Sequence, residues 1–231
     1  MRIAIIPARG GSKRIPRKNV KDFFGKPLIA YSIEAALKSK LFDRVIVSTD
    51  DEEIATIAKD YGAEVPFMRP IELSDDFTPT IPVIAHAINA TCKELNEVEA
   101  VCCIYATAPF VQAKFITEAY KKLTKTQSDY CFSATSFAFP IQRAIKLQNE
   151  KVEMFSPEHF NTRSQDLEEA YHDAGQFYWG TPKAWCEGNP IFADKSTLTL
   201  LPRYLVQDID TLEDWKRAEL MYKVLQDESI I

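Results

Sequence analysis

Much of what usually announces a function is missing from this sequence. No apolar run approaches the roughly 20 residues that a membrane-crossing helix needs. Five cysteines (Cys92, Cys102, Cys103, Cys131 and Cys186) are odd in number and form no C-x-x-C pair. A disulfide framework is therefore not expected, and reduced core thiols in a cytoplasmic protein are. The three histidines are too dispersed to suggest a zinc site. Basic patches interleaved with aromatics are absent and the net charge is −5, which argues against a nucleic-acid partner. Arg2 is followed by a strand-like run with no small-residue cleavage site, so no signal peptide is expected. Neither Gly-x-x-x-x-Gly-Lys-Ser/Thr nor Gly-x-Gly-x-x-Gly occurs, so the usual ATPase and dinucleotide readings lose their support.

What is present begins at the N-terminus. Ile3 to Ile6 is an apolar run of the kind that forms a strand buried on both faces. It breaks into Gly10-Gly11 and a dense group of cations. Between Arg9 and Lys26 stand seven basic residues, Arg9, Lys13, Arg14, Arg17, Lys18, Lys21 and Lys26, against one acid, Asp22. The segment carries +6 in a chain of −5, which leaves −11 for the rest. Glycines let a backbone approach a ligand and leave N–H groups free to point at it. A glycine-hinged, cationic loop after a first strand is what a polyphosphate site needs.

With 231 residues, 46% of them hydrophobic, the chain can bury a sizeable core in one large domain or in one domain with an appendage. Further along, helix-spaced residues over 29–40 precede a buried strand over 44–49. Asp50 or Asp51 then caps a helix that ends at Gly62, and a short strand follows over 64–68. A helix over about 81–95, a strand over 100–105, a helix over about 113–124 and a strand over 130–136 come next. A strand over 198–206 and a helix over 211–225 close the chain, the helix capped by Thr211 with Asp214 at its third position. Alternating strands and helices at this spacing predict an α/β domain with a doubly wound, mainly parallel sheet. Ligands gather at the carboxyl ends of strands in such sheets, where Arg69 lies. Thr78 and Thr80 serve either a ligand or the cap of the next helix.

Between 137 and 175 the helical pattern lapses into short β-like runs and polar turns. Such an arm cannot bury a core of its own, so a second subunit is its expected partner. Within it, Arg163 offers a planar fork suited to a carboxylate. Gln176 can hydrogen-bond hydroxyl or amide groups, and Phe177, Tyr178 and Trp179 either wall a pocket or form an ordinary strand. His172 and Asp173 are adjacent and point to opposite faces of an extended chain, so they make no catalytic dyad. Asp208 and Asp210, two apart, share a face at the end of the strand expected over 198–206, a disposition that suits Mg²⁺. Joining the helix cap is the other reading of Asp210.

Ile6-Pro-Ala-Arg-Gly-Gly-Ser-Lys-Arg-Ile-Pro-Arg-Lys-Asn19 resembles the signature of the cytidylyltransferases that make CMP-activated acidic nonulosonic sugars, a family that includes the CMP-sialic acid synthetases. The run Arg163-Ser-Gln-Asp-Leu167, followed by Tyr171 to Trp179, is a second match, and its wording resembles the pseudaminic acid branch. The resemblance implies a nucleotidyltransferase of Rossmann-like architecture covering residues 1–231, with 137–175 as a dimerisation arm. It implies that Arg9, Lys13 and Lys18 act on the triphosphate of CTP, and that Ala8, Gly10, Gly11, Ser12, Asn19, Arg69 and Thr80 hold the nucleotide. Thr107, Arg143, Arg163, Gln165, Asp173, Gln176, Phe177 and Tyr178 would hold the nine-carbon acidic sugar, with Asp208 and Asp210 as Mg²⁺ ligands. Where sialic acid synthetases carry Gln-Pro and, further on, Arg, this chain has Tyr105-Ala106 and Val111, which points away from sialic acid. Sialic, legionaminic and 3-deoxy-octulosonic acid are the alternative sugars, and a nucleotide-sensing binding protein is the non-enzyme alternative.

Overall fold

Unbroken apolar runs in the first strands demand cover on both faces, and the computed structural model, which describes residues 1–231, supplies it. The elements in order are β1 (Arg2–Pro7), β2 (Asp22–Phe23), β3 (Lys26–Pro27), α1 (Leu28–Ser39), β4 (Arg44–Ser48), α2 (Glu52–Asp60) and α3 (Thr80–Thr91). They continue as β5 (Ala100–Ile104), α4 (Ala113–Thr126), β6 (Tyr130–Ser136), β7 (Ile145–Gln148), β8 (Lys151–Met154), β9 (Tyr171–Gly180), α5 (Pro182–Glu187), β10 (Ser196–Leu200) and α6 (Leu212–Asp227). Side chains alternate across the strands. Ala4, Ile6, Val47, Cys102, Phe177 and Trp179 pack beneath α1, α2, α4 and α6. Ile3, Ile5, Ile46, Val101, Cys103 and Tyr178 pack beneath α3 and α5 on the other face.

The six-stranded sheet has the order β10-β6-β9-β5-β1-β4. Every neighbouring pair is parallel except the two that β9 makes. The chain leaves β6, passes through the arm and returns down the sheet as β9, so no crossover helix is needed. The expected doubly wound, mainly parallel sheet is present, with one antiparallel strand inside it.

Three expected elements change. The strand over 64–68 is reduced to two isolated bridges, Ile46 to Glu64 and Thr49 to Met68. Pro66 between them has no N–H to give a continuous ladder. The helix expected to reach residue 95 ends at Thr91, and Cys92 is already extended. The last strand runs Ser196–Leu200, because Pro202 opens a 3-10 turn at Arg203–Leu205. Asp208 and Asp210 therefore stand on a connection, not at a strand end.

A bulge and a hairpin depart from the regular sheet. The β6–β9 register breaks between Phe132–Tyr178 and Ala134–Asp173, leaving Ala174 to Phe177 opposite Ser133. Gly175, at φ +61°, makes the turn of this bulge, and the Ser133 hydroxyl accepts the Gln176 and Phe177 N–H groups at 3.3 and 3.1 Å. In the arm, β7 and β8 form a hairpin whose turn residues Asn149 and Glu150 both have positive φ. Its apolar residues face solvent, with Leu147 73% and Val152 64% exposed.

Candidate active site

The cationic loop leaves β1 at its carboxyl end and curls over a cavity of about 680 Å³. The cavity is walled by this loop, by 69–80, by Tyr105–Thr107 after β5, and by Asp208 and Asp210 before α6. These are carboxyl-end loops of adjacent parallel strands and one later connection, the place where an open α/β sheet binds ligands.

The loop is fixed by its neighbours. Gly10 N–H donates to Asp50 Oδ1 at 3.0 Å. A side chain at Gly10 would come within 2.6 Å of Asp51 Oδ2, so only glycine fits. Arg17, in the left-handed region at φ 56°, forks onto Asp51 at 2.5 and 2.9 Å and reaches Glu53. Asp51 in turn caps α2 by accepting the Ile54 N–H at 3.0 Å, and the Arg17 hydrogen bond holds its carboxyl at about 2. Asn19, buried, donates from Nδ2 to the Arg9 carbonyl at 2.9 Å.

The cations facing the cavity are paired with acids of the chain. Arg9 Nη1 lies 2.7 Å from Asp76 and donates to the Asp75 carbonyl. Lys13 pairs with the other Asp76 oxygen, a hydrogen bond that lowers the Asp76 carboxyl from its ordinary value. Arg14 lies 2.8 Å from Asp210. Lys18 donates to the Ile209 carbonyl at 2.5 Å and stands 3.5 Å from Asp210. Asp208 has no cationic partner within ion-pair distance. The residue keeps contact with solvent, but partial burial of its carboxyl, and then the like charge of Asp210, push it above the ordinary carboxylate range.

Two carboxylates facing one cavity, one of them unneutralised, fit a divalent cation with hard oxygen ligands. No cluster of three or more His, Cys, Asp or Glu side chains stands together. Mg²⁺ needs none, since it is commonly held by one or two carboxylates with substrate phosphates and water completing its shell.

Arg69 is buried, at 6% exposure, yet it lines the cavity. Its Nε donates to Ser74 Oγ at 3.1 Å, and its Nη2 lies 3.6 Å from Asp50 without a hydrogen-bond partner. Burial lowers its pKa. Neither Thr78 nor Thr80 caps α3, whose first turn has no side-chain cap. Thr78 donates instead to Asp75 Oδ1 at 2.6 Å, and Thr80 shares a 3.0 Å hydrogen bond with the Tyr105 hydroxyl.

Of the residues singled out in the sequence, Arg9, Ser12, Lys13, Lys18, Asn19, Arg69, Thr80, Thr107, Asp208 and Asp210 all meet at this cavity. Ala8 is buried beneath the loop, and Gly10 contributes backbone alone. The residues expected to contact a sugar divide. Arg143, Arg163 and Gln165 are on the arm. Arg163 is forked onto Asp166 at 2.6 and 3.1 Å, Arg143 donates to the Thr162 carbonyl at 2.7 Å, and Gln165 lines a separate hollow of about 260 Å³.

Gln176 and Phe177 do not wall a pocket. The Gln176 amide is buried and donates to the Leu205 carbonyl at 2.6 Å, and Phe177 is fully buried beneath the helices. The bulge opposite Ser133 turns Gln176 inward, while Phe177 keeps the alternation with Tyr178 and Trp179 and stays paired with Ile104 of β5. Tyr178 is buried on the opposite face, its ring 5.1 Å from that of Tyr105. Its hydroxyl donates to Asp173 Oδ2 at 2.5 Å, and Asp173 Oδ1 accepts the Gly175 N–H at 2.9 Å.

Sequence reasoning passed over Asp50, Asp76, Arg14 and Tyr105 as site residues. Asp50 follows β4 at its carboxyl end, so its position past a strand end, like that of Arg69, was a signal that could have found it. Nothing in the spacing marks Asp76.

A family model described as cytidylyltransferase matches residues 3–228. The chain is 52% identical over 223 residues to pseudaminic acid cytidylyltransferase of Campylobacter jejuni, covering 96% of both chains. It is 35% identical to the CMP-N,N'-diacetyllegionaminic acid synthase of Legionella pneumophila, covering 97% of both. Among solved structures, a CMP:2-keto-3-deoxy-manno-octonic acid synthetase complexed with CTP superposes with a TM-score of 0.70 at 14% identity, covering 96% of this chain and 98% of that one, which speaks for the fold.

Proposed function

The chain belongs to the cytidylyltransferase family, and on that premise we propose that it transfers CMP from CTP to the anomeric hydroxyl of pseudaminic acid, giving CMP-pseudaminic acid and pyrophosphate. The observation that carries this reading is the meeting of the cationic loop with Asp208 and Asp210 at one cavity. The sugar oxygen forms a bond to the α-phosphorus, the bond from that phosphorus to the bridging oxygen breaks, and pyrophosphate leaves with the electron pair. The hydroxyl proton passes to solvent. Catalysis is positioning plus charge neutralisation. Arg9, Lys13 and Lys18 offset the triphosphate's charge, loop N–H groups and Ser12 hold its oxygens, and Arg69 and Thr80 receive the nucleoside. Asp208 and Asp210 would hold Mg²⁺, which supplies positive charge at the phosphates.

The choice of sugar is supported by the Campylobacter relative and by Tyr105-Ala106 and Val111, where sialic acid synthetases carry Gln-Pro and Arg. Thr107, Tyr178 and Asp173 belong to that end of the site, Tyr178 and Asp173 acting behind Tyr105. We read residues 1–231 as a single catalytic domain that works as a homodimer. The exposed apolar hairpin of the arm supports this, and the arm carries Arg143, Arg163 and Gln165, which a second copy would bring to the sugar's carboxylate. Five free cysteines suit a reducing, cytoplasmic setting, and no helix is long and apolar enough to cross a membrane.

The test is incubation with CTP, Mg²⁺ and, in parallel, pseudaminic, N-acetylneuraminic, legionaminic and 3-deoxy-octulosonic acids, with pyrophosphate release as readout. Preferred turnover of pseudaminic acid is expected. Equal or better use of another sugar overturns the substrate, and CTP binding without pyrophosphate from any sugar favours the nucleotide-sensing alternative.

A further inference from the structure

The loop that would receive phosphates and the arginine that would receive the nucleoside come from different parts of the chain. Something must set one against the other, and the geometry points to Asp50. We propose that Asp50 is a positioning residue, which ties the phosphate loop and the buried Arg69 guanidinium to a single carboxylate oxygen. The proposal rests on the reading of this cavity as a nucleotide site.

β1 and β4 run parallel with Pro7 opposite Ser48, so Asp50 emerges beside the loop two residues beyond the last paired position. Its Oδ1 accepts the Gly10 N–H at 3.0 Å, and the same atom lies 3.6 Å from Arg69 Nη2. The backbone repeats the connection, because Arg69 N–H donates to the Thr49 carbonyl at 2.7 Å. On its other side the guanidinium is held by Ser74, itself buried and donating to the Pro70 carbonyl at 2.9 Å. Arg69 thus enters the cavity wall gripped from two sides, with Nη2 still without a hydrogen bond. A buried cationic donor left unsatisfied is costly, and a ligand acceptor in the cavity removes that cost. Asp50 is too far for a hydrogen bond to Nη2 but supplies the opposite charge, so it steadies the guanidinium and leaves the donor for the ligand.

Substitution separates the two ties. Asp50→Asn keeps an acceptor for Gly10 N–H and removes the charge facing Arg69. Asp50→Ala removes both. Equilibrium titration of the full chain with CTP and with inorganic tripolyphosphate reads them apart, because tripolyphosphate reports the loop and the ratio of the two affinities reports the nucleoside. In D50N the ratio is expected to fall about tenfold, the scale of a misplaced hydrogen bond from the charged Arg69 donor to the ligand, with tripolyphosphate affinity held within about twofold. In D50A tripolyphosphate affinity falls as well. Ser74→Ala frees the other side of Arg69 without touching Gly10 and should lower the ratio as D50N does, so the test stands even where D50A fails to fold. An unchanged ratio in D50N, or an equal fall in both affinities, overturns the proposal, since a merely structural role moves both ligands together. A parent protein that binds CTP no better than tripolyphosphate overturns the nucleotide reading itself, and the proposal with it.

Discussion

One oxygen of Asp76 lies 2.7 Å from Arg9 Nη1, while its other oxygen takes the Lys13 ammonium. Two cations that a triphosphate needs are therefore already engaged by a carboxylate on the segment between Arg69 and α3. An entering triphosphate must displace it. Asp76→Asn is expected to tighten CTP binding modestly at low ionic strength, since exposed ion pairs are weak. The gain should shrink as salt screens the contact. Titration of CTP at several salt concentrations checks this, and weaker binding by the variant would show that Asp76 serves the nucleotide.

Asp208 carries its charge at a cost. Its carboxyl is raised by partial burial and by Asp210. The penalty for ionising it in the folded state is present at neutral pH and disappears as pH falls through the raised value, where the group is protonated. Asp208→Asn should therefore raise the Tm of the metal-free protein at pH 7 and leave it unchanged in acid. The same substitution should raise the Mg²⁺ requirement for turnover steeply. Thermal melts across pH, together with Mg²⁺ titrations of activity, test both halves.

Asp51 behaves in the opposite sense. Arg17 holds it at about 2, against 3.8 for an unperturbed carboxyl. Its contribution to stability is fully present above the unfolded value and is lost as pH falls through the folded one. Asp51→Asn keeps a good cap for α2 and loses the ion pair. Its Tm should lie below that of the parent at pH 7, and the gap should close between about pH 4 and pH 2. A constant gap across that range would assign the loss to packing.

Leu147 and Val152 face each other across the β7–β8 hairpin, both exposed. If the arm joins two copies, Leu147→Glu with Val152→Lys should give monomers by light scattering while keeping the pair compatible across the strands. Turnover should fall with the loss of the dimer. A parent protein already monomeric at working concentration excludes the arm as a dimer contact.

Much of the fold was legible because its cause is local. The apolar runs of β1, β4, β5 and β6, the Asp51 cap and the Thr211–Asp214 capping box are written in neighbouring residues. The strand over 64–68 and the end of the last strand were misjudged where a proline outweighed an apolar pattern. The direction of β9 was not legible, since a strand's composition says which faces are covered and leaves open which neighbours it joins.

The site divides in the same way. The sequence by itself determined a cationic, glycine-hinged loop after the first strand, because charge density and backbone freedom are properties of the residues themselves. It also determined that Asp208 and Asp210 stand as a pair, since they are only two apart. Only the tertiary structure decided what those groups meet. Asp76 meets Arg9 and Lys13, Asp50 lies between Gly10 and Arg69, and the Ile209 carbonyl takes Lys18, all of them partners distant in the chain. The tertiary structure also turned Gln176 into the core, because a bulge opposite Ser133 resets the alternation there, and it laid helices over the face that Phe177 occupies. Spacing governs short-range geometry, whereas the partner of a charge is set by the packing of whole strands and helices.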